Sequence, residues 1–338
     1  MALLDNIFVL ATLSALLVGS IVMAVHHAEV VAHRVGEPFG TLILAVCVTV
    51  IEVALIASIM LSRSPGSELI ARDAVFAAIM IVVNGVVGLS ILIGGLKHHE
   101  LAFRIEGSNS ALTVLAALAT LTLILPSFTE SSAGPTYTNA QLIFAGLSSL
   151  VLYGTFVFVQ TIRHRDYFLP VEPADYANKK VHAPSPSRVK ALRSGGLLVV
   201  ALVLVVGLAK MLSPTIESAV KTIGAPQAIV GVIIAGLVLA PESVAAIRAS
   251  VANRLQTSFN LALGSALASI GLTIPTVAVI SIAFGLPLNL GISPVQMVLL
   301  VLTLLSGVIT LATGKTAVLQ GVVHLVIFIA YLFLTIVP

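Results

Sequence analysis

The sequence predicts an all-α polytopic membrane protein, with ten transmembrane helices arranged as two inverted five-helix repeats. Three observations carry this expectation. The first is composition: of 338 residues, 58% are apolar and 9% charged, with a mean hydropathy of +1.13. An ordinary globular chain carries roughly 25% charged residues, so soluble domains of this length would lack the charge to cover their surfaces. Disorder, which needs low hydrophobicity and high charge, is excluded by the same figures. The second is length: apolar runs of about 20 residues, enough to cross a hydrocarbon core, recur ten times. The third is a single polar stretch that divides these runs five and five.

The runs follow in order. Ile7–Val25 has no basic leader and no clear cleavage site after it, so it reads as a span and not a signal peptide. Pro38–Leu61 opens on the pair Gly36/Pro38 and carries Glu52 in its middle. Ala74–Leu96 holds Asn84, with Gly88 four residues on and then Ser90. Ser110–Pro126 and Gln141–Ile162 carry no charged residue. The stretch from Arg163 to Ala191, with Ala-Pro-Ser-Pro-Ser at 183–187, is the one clear composition shift and reads as a flexible tether. Leu192–Leu212 follows. Pro226–Ile247 opens on Gly224/Pro226 and carries Glu242 directly after Pro241. Thr257–Phe284 holds Asn260, Gly264 and Ser265, and Pro294–Ala312 and Val318–Val337 complete the ten. The expected organisation is a first repeat at 1–163, a linker at 164–191 and a second repeat at 192–338. An odd number of spans per half inserts the halves with opposite topology, which places a substrate site at their interface near the bilayer midplane.

Charge sets orientation. Thirteen of the 17 basic residues fall in loops on one side, leaving Arg63, Arg72, Lys210 and Lys221 on the other. The positive-inside rule then puts both termini outside and the linker in the cytoplasm. The pI near 9.1 does not imply nucleic acid, because the basic residues form no stripe; the expected partners are the lipid bilayer and small inorganic cations. The single cysteine, Cys47, excludes a disulfide framework and any multi-cysteine metal site.

Glu52 and Glu242 are the only acids deep within spans, one in the second span of each half, and no Lys or Arg lies at their depth. An acid at a helix centre costs about 2.5–3.5 kcal/mol on insertion scales, and an intramembrane ionisable residue is by default a functional candidate. Two facing carboxylates in a low-dielectric interior would titrate as a coupled pair. Their missing counter-charge is met by a cation or by protons, and binding both together is electrostatically disfavoured. That mutual exclusion is what an exchanger requires. Oxygen ligands alone suit a hard cation such as calcium, with further oxygens expected from Asn84, Asn260, Ser265, Thr49 and Ser243, and from carbonyls freed where Pro241 unsettles its helix. No cofactor is expected.

Other polar groups carry weaker signals. His26, His27 and His33 lie near Glu29 and Glu37 before the second span; they read as a solvated interfacial turn, or, with Glu37 and His33 as gate residues, as a cytoplasmic vestibule. His324 is the one histidine deep in a span and reads as a satisfied core residue. A Ser265–His324 hydrolase pair is the enzymatic alternative, but it lacks a Gly two residues after the Ser and leaves both glutamates unexplained. A cation channel is the nearest non-enzymatic alternative.

The runs His-Arg-Val-Gly-Glu-Pro-Phe-Gly-Thr-Leu-Ile-Leu (33–44) and Val-Ile-Glu-Val-Ala-Leu-Ile (50–56) resemble the ChaA-type calcium/proton antiporters of the cation/calcium exchanger superfamily. So do Leu-Ala-Pro-Glu (239–242), Asn-Leu-Ala-Leu-Gly-Ser-Ala-Leu-Ala (260–268) and Thr-Gly-Lys-Thr-Ala-Val-Leu-Gln-Gly-Val-Val-His-Leu (313–325). The resemblance implies inverted five-helix halves, with Glu52 and Glu242 as ion ligands in the second helix of each. Where many members carry Gly-Asn before each glutamate, this chain has Val48-Thr49 and Val238-Leu239. It also implies exchange of calcium for protons across a bacterial inner membrane, and proteins of this type are associated with sodium and potassium exchange as well.

Overall fold

The computed structural model describes residues 7–36, 39–169, 186–222, 224 and 226–337. Most of the tether, residues 170–185, and the expected gate residue Glu37 lie outside them. The first half contains α1 (Ile7–Val35), α2 (Phe39–Ser62), α3 (Ser67–His98), α4 (Ile105–Ser127) and α5 (Asn139–Arg163). The second contains α6 (Arg188–Thr222), α7 (Ala228–Val251), α8 (Leu255–Phe284), α9 (Pro294–Leu311) and α10 (Val318–Ile336). Nine are long and apolar enough to cross a membrane over their described residues, and α2 adds an apolar stretch from Val46 to Ser62.

Several helices outrun the apolar segments that announce them. α1 was expected to end at Val25, with the histidines in an interfacial turn; instead it continues to Val35 and carries His26, His27, Glu29 and His33 in helix. Between Ser20 and Val35 no Gly or Pro stops it. The stop comes at Gly36, whose φ of +81 lies in the left-handed region and whose N–H bonds Ala32 O at 2.8 Å, a helix end that glycine tolerates best. Gly224 after α6 repeats the device at φ +66. At 29 and 35 residues, α1 and α6 are about 43 and 52 Å long, well beyond the ~30 Å hydrocarbon core. The expected break at Pro241 does not occur. α7 runs unbroken through it, so the proline only withdraws one backbone donor from the helix.

Helix packing obeys the exchange of each helix for the one five places later. α1 lies against α6; α5 packs on α8 as α10 packs on α3; α3 packs on α7 as α8 packs on α2. The loops repeat it. The α3–α4 loop pairs with the α9–α10 loop as antiparallel β1 (Leu101–Ala102) and β2 (Lys315–Thr316), in register Leu101↔Thr316. The α4–α5 loop meets the α8–α9 loop through a bridge between Thr136 and Asn289. These are the two arrangements that exchange of the halves interconverts. One asymmetry stands out: α1 and α6 both lean on α2 and touch α7 only lightly.

α3 and α8 form the centre, with 72% and 61% of their apolar windows buried, against 22% for α1, α6 and α10. Small residues bring the α3–α10 backbones together. A Cβ on Gly321 would sit 2.6 Å from Leu92 N and 2.8 Å from Gly88 O, the small-residue contact by which membrane helices approach closely. Gly321→Ala should therefore lower stability by about 1–3 kcal/mol, seen as a lower melting temperature in detergent. Gly154→Ala, with nothing within 4 Å of the new Cβ, should cause no loss.

Candidate functional site

α2 and α7 each bury one glutamate. Glu52 is 1% exposed and Glu242 6%. Glu52 is held from α8, where Ser269 Oγ donates to Glu52 Oε2 at 2.6 Å, a charge-assisted distance. Thr273, one turn further along α8, is the next polar group toward this carboxylate, but its Oγ1 and Glu52 Oε1 both lack a hydrogen-bond partner. Both oxygens of Glu242 are also buried without a partner among the described residues. Glu242 lies within electrostatic reach of Glu52, and of Glu29 on α1. The ion pairs among the described residues, Arg72–Asp73 and Lys315–Glu100, involve neither glutamate. Two carboxylates from opposite halves thus share one buried region, with three of their four oxygens unpaired.

Unpaired buried polar atoms are costly. A cation or protons would satisfy these, and the donor set is of oxygens only. Sequence reading named Ser265 on α8 and missed Ser269 and Thr273. Their signal is the spacing: Ser265, Ser269 and Thr273 recur every four residues, which lines one helix face. All three are buried. Thr49, one turn before Glu52, is buried as expected.

The two asparagines are not brought to the glutamates. Asn260 sits at the start of α8, nine residues or about 14 Å before Ser269. Its Oδ1 accepts from Gln256 Nε2 at 2.9 Å, and its Nδ2 donates to Phe168 O at 2.6 Å. The amide is occupied in anchoring the segment that follows α5. Asn84 is fully buried, yet its Nδ2 donates to Thr303 Oγ1 at 2.8 Å and its Oδ1 lies 3.0 Å from His324 Nδ1. Ser243 likewise turns its hydroxyl back to Leu239 O, at 2.7 Å.

The histidines also resolve. His324 is spent on Asn84 and, through Nε2, on Thr310 Oγ1 at 3.1 Å, so no Ser265–His324 pair forms. His27 is 8% exposed with both ring nitrogens unpartnered, whereas His33 is exposed. The interfacial-turn reading missed the burial of His27 and the reach of Glu29, because both depend on α1 continuing as helix.

Residues 6–162 and 193–337 match the sodium/calcium exchanger protein family. A putative ionic transporter of Sinorhizobium fredii is 51% identical over 333 residues, covering 98% of this chain and 90% of that protein. The sodium-potassium/proton antiporter ChaA of Escherichia coli is 35% identical over 308 residues, covering 91% and 83%. Among solved structures, native YfkE matches with a TM-score of 0.75 at 18% identity, covering 98% of this chain and 92% of that one. The H+/Ca2+ exchanger CAX matches with a TM-score of 0.71 at 16% identity, covering 94% and 79%. The chain belongs to the sodium/calcium exchanger family, a family of ion antiporters and not of enzymes.

The hydrogen bonds of Asn260 predict a local effect. Asn260→Ala should speed hydrogen exchange at the amides of 165–169, while peptides around Glu52 and Glu242 keep their wild-type protection. Unchanged exchange at 165–169 would show that this anchor does not hold the segment.

Proposed function

We propose that this member of the sodium/calcium exchanger family moves calcium outward in exchange for protons, at a site built from Glu52 and Glu242 with hydroxyls of α8 beside them. The observation that carries the reading is the pair of buried, uncompensated carboxylates supplied by inverted halves. A divalent cation cancels both charges, and so do two protons; the site holds one or the other. Oxygen-only coordination suits calcium, which takes six to eight oxygens, so water and backbone carbonyls would complete the shell. Ser269 would orient Glu52, and Thr49, Ser265 and Thr273 would supply neutral oxygens. The positive-inside bias supports a cytoplasmic linker and outward termini in a bacterial inner membrane. α1 and α6, packed on each other and anchored lightly to α7, would rock against the site-bearing α2, α3, α7 and α8 to alternate access.

A second reading, exchange of sodium or potassium for protons, has specific support. The Escherichia coli relative is named a sodium-potassium/proton antiporter. Both asparagine amides of this chain are also engaged away from the glutamates, which leaves few neutral ligands for calcium.

Proteoliposomes with an imposed pH gradient decide between them. Added calcium should collapse the gradient; collapse by sodium or potassium alone would replace the first reading with the second. Calcium flux that leaves the gradient untouched would indicate a channel. Glu52→Gln and Glu242→Gln should each abolish exchange while the protein stays monodisperse, and full exchange by either variant removes that residue from the site. Ser269→Ala should retain exchange but raise the apparent KM for the cation roughly tenfold, the size expected when a hydrogen bond to a charged group is lost.

A further inference from the structure

The placement of Asn84 raises a question of geometry that the glutamate site leaves open. α3 and α7 are parallel neighbours, and three contacts fix their register. A Cβ on Gly231 would meet the Asp73 backbone, one on Gly236 would meet Ile81 Cδ1 at 4.0 Å, and one on Gly94 would strike Ser250. Interpolation between the second and third contacts puts Glu242 within about one helical turn of Asn84 in height. The amide is therefore at the depth of the carboxylate and turned away from it.

The backbone shows how. In an α-helix, residues 81, 84, 85 and 88 share a face. Here that face is split. Ile81 lies toward α7, whereas Gly85 abuts Phe328, Gly88 abuts His324, and Asn84 bonds His324, all on α10. Between them Met80–Val86 forms a π-helical turn, a wide turn frequent at functional sites. Moving such a turn along the helix past Asn84 rotates the amide by up to about 100°, onto the face that Ile81 presents to α7.

What holds the amide in place is a closed set of bonds. Asn84 Nδ2 donates to Thr303 Oγ1, which passes its own proton to Leu299 O at 2.7 Å. Because Nδ2 is the donor there, Oδ1 accepts, so His324 Nδ1 carries the proton and Nε2 accepts from Thr310. His324 is 0% exposed, and a cavity of about 10 Å³ bordered by Val83, Val87, Leu112, Phe259, Thr310 and His324 lies beside it. Of its two valine walls, Val83 belongs to the turn that would move and Val87 follows it directly.

We propose that His324 is a positioning residue for ion exchange: with Thr303 it holds the Asn84 amide off Glu242, and cation occupancy of Glu242 draws the amide across as the π turn shifts. The proposal rests on the reading of Glu52 and Glu242 as the ion site. The clasp competes with ligation, so weakening it favours the cation-bound arrangement by about the net value of one hydrogen bond.

The test measures apparent KM and maximal rate of cation-driven collapse of a pH gradient in proteoliposomes, with calcium and with sodium as the added cation. His324→Leu and Thr303→Val should each lower the KM of the transported cation about fivefold. His324→Gln, which keeps a donor and an acceptor, should stay near wild type. In an Asn84→Ala background His324→Leu should change KM no further. A residue that only supports the fold would lower the rate or yield without lowering KM, so an unchanged or raised KM in monodisperse His324→Leu overturns the proposal. So does the same fall in KM with Asn84 already removed. Thr303→Val carries the test where His324→Leu does not fold. If Glu242→Gln is inactive while KM ignores His324, the clasp is wrong and the site stands; if Glu242→Gln exchanges normally, the site itself is wrong.

Discussion

A carboxylate in a lipid-embedded interior with no ion-pair partner among the described residues is the constraint around which this molecule is organised. Each such acid costs about 2.5–3.5 kcal/mol by insertion scales, a sizeable share of a folding free energy of about 5–15 kcal/mol. The chain carries two, one per half, and among the described residues a single short hydrogen bond reaches them, from Ser269 to Glu52. Glu29 on α1 is a further acid within electrostatic reach of Glu242. The central helices α3 and α8 shield the acids, and on the proposed reading a cation or protons from solution compensate their charge.

Shielding demands a stiff frame. Close glycine contacts fasten α3 to α10 at Gly88 and Gly321, and α8 to α5 where Gly271 meets Tyr153. Near the C-terminal end of α7, Ser250 Oγ donates to Ser90 O at 2.6 Å, and Ser258 pairs with Ser90 at 3.0 Å, so α3, α7 and α8 are tied in one block. α1 and α6 stand apart from this block, paired with each other and largely facing lipid. The division between tied and untied helices follows from where hydrogen bonds and small residues occur.

Much of this was legible in the sequence. Apolar run length gave ten spans, and the isolation of Glu52 and Glu242 from other charge gave the candidate site. What the sequence hid depends on rotation about a helix axis. Asn84 recurs with Gly88 as Asn260 does with Gly264, which suggested two ligands; yet a π turn points Asn84 toward α10, and the Asn260 amide is engaged by Gln256 and Phe168. Ser269 was readable as one step in a four-residue hydroxyl stripe, but only α2 packing on α8 reveals which carboxylate it meets. Helix ends were hidden for another reason: α1 ends where Gly36 permits a left-handed residue, and hydropathy does not report that.

The unequal lean of α1 and α6, onto α2 and away from α7, has a consequence for energetics. Exchanging the halves generates a sister arrangement in which the same pair leans onto α7. The free-energy gap between two such poses would be set by how far the halves' side chains differ. In an antiporter whose poses lie close in energy, the ionic gradients across the bilayer choose which way it runs, and reversing them reverses it.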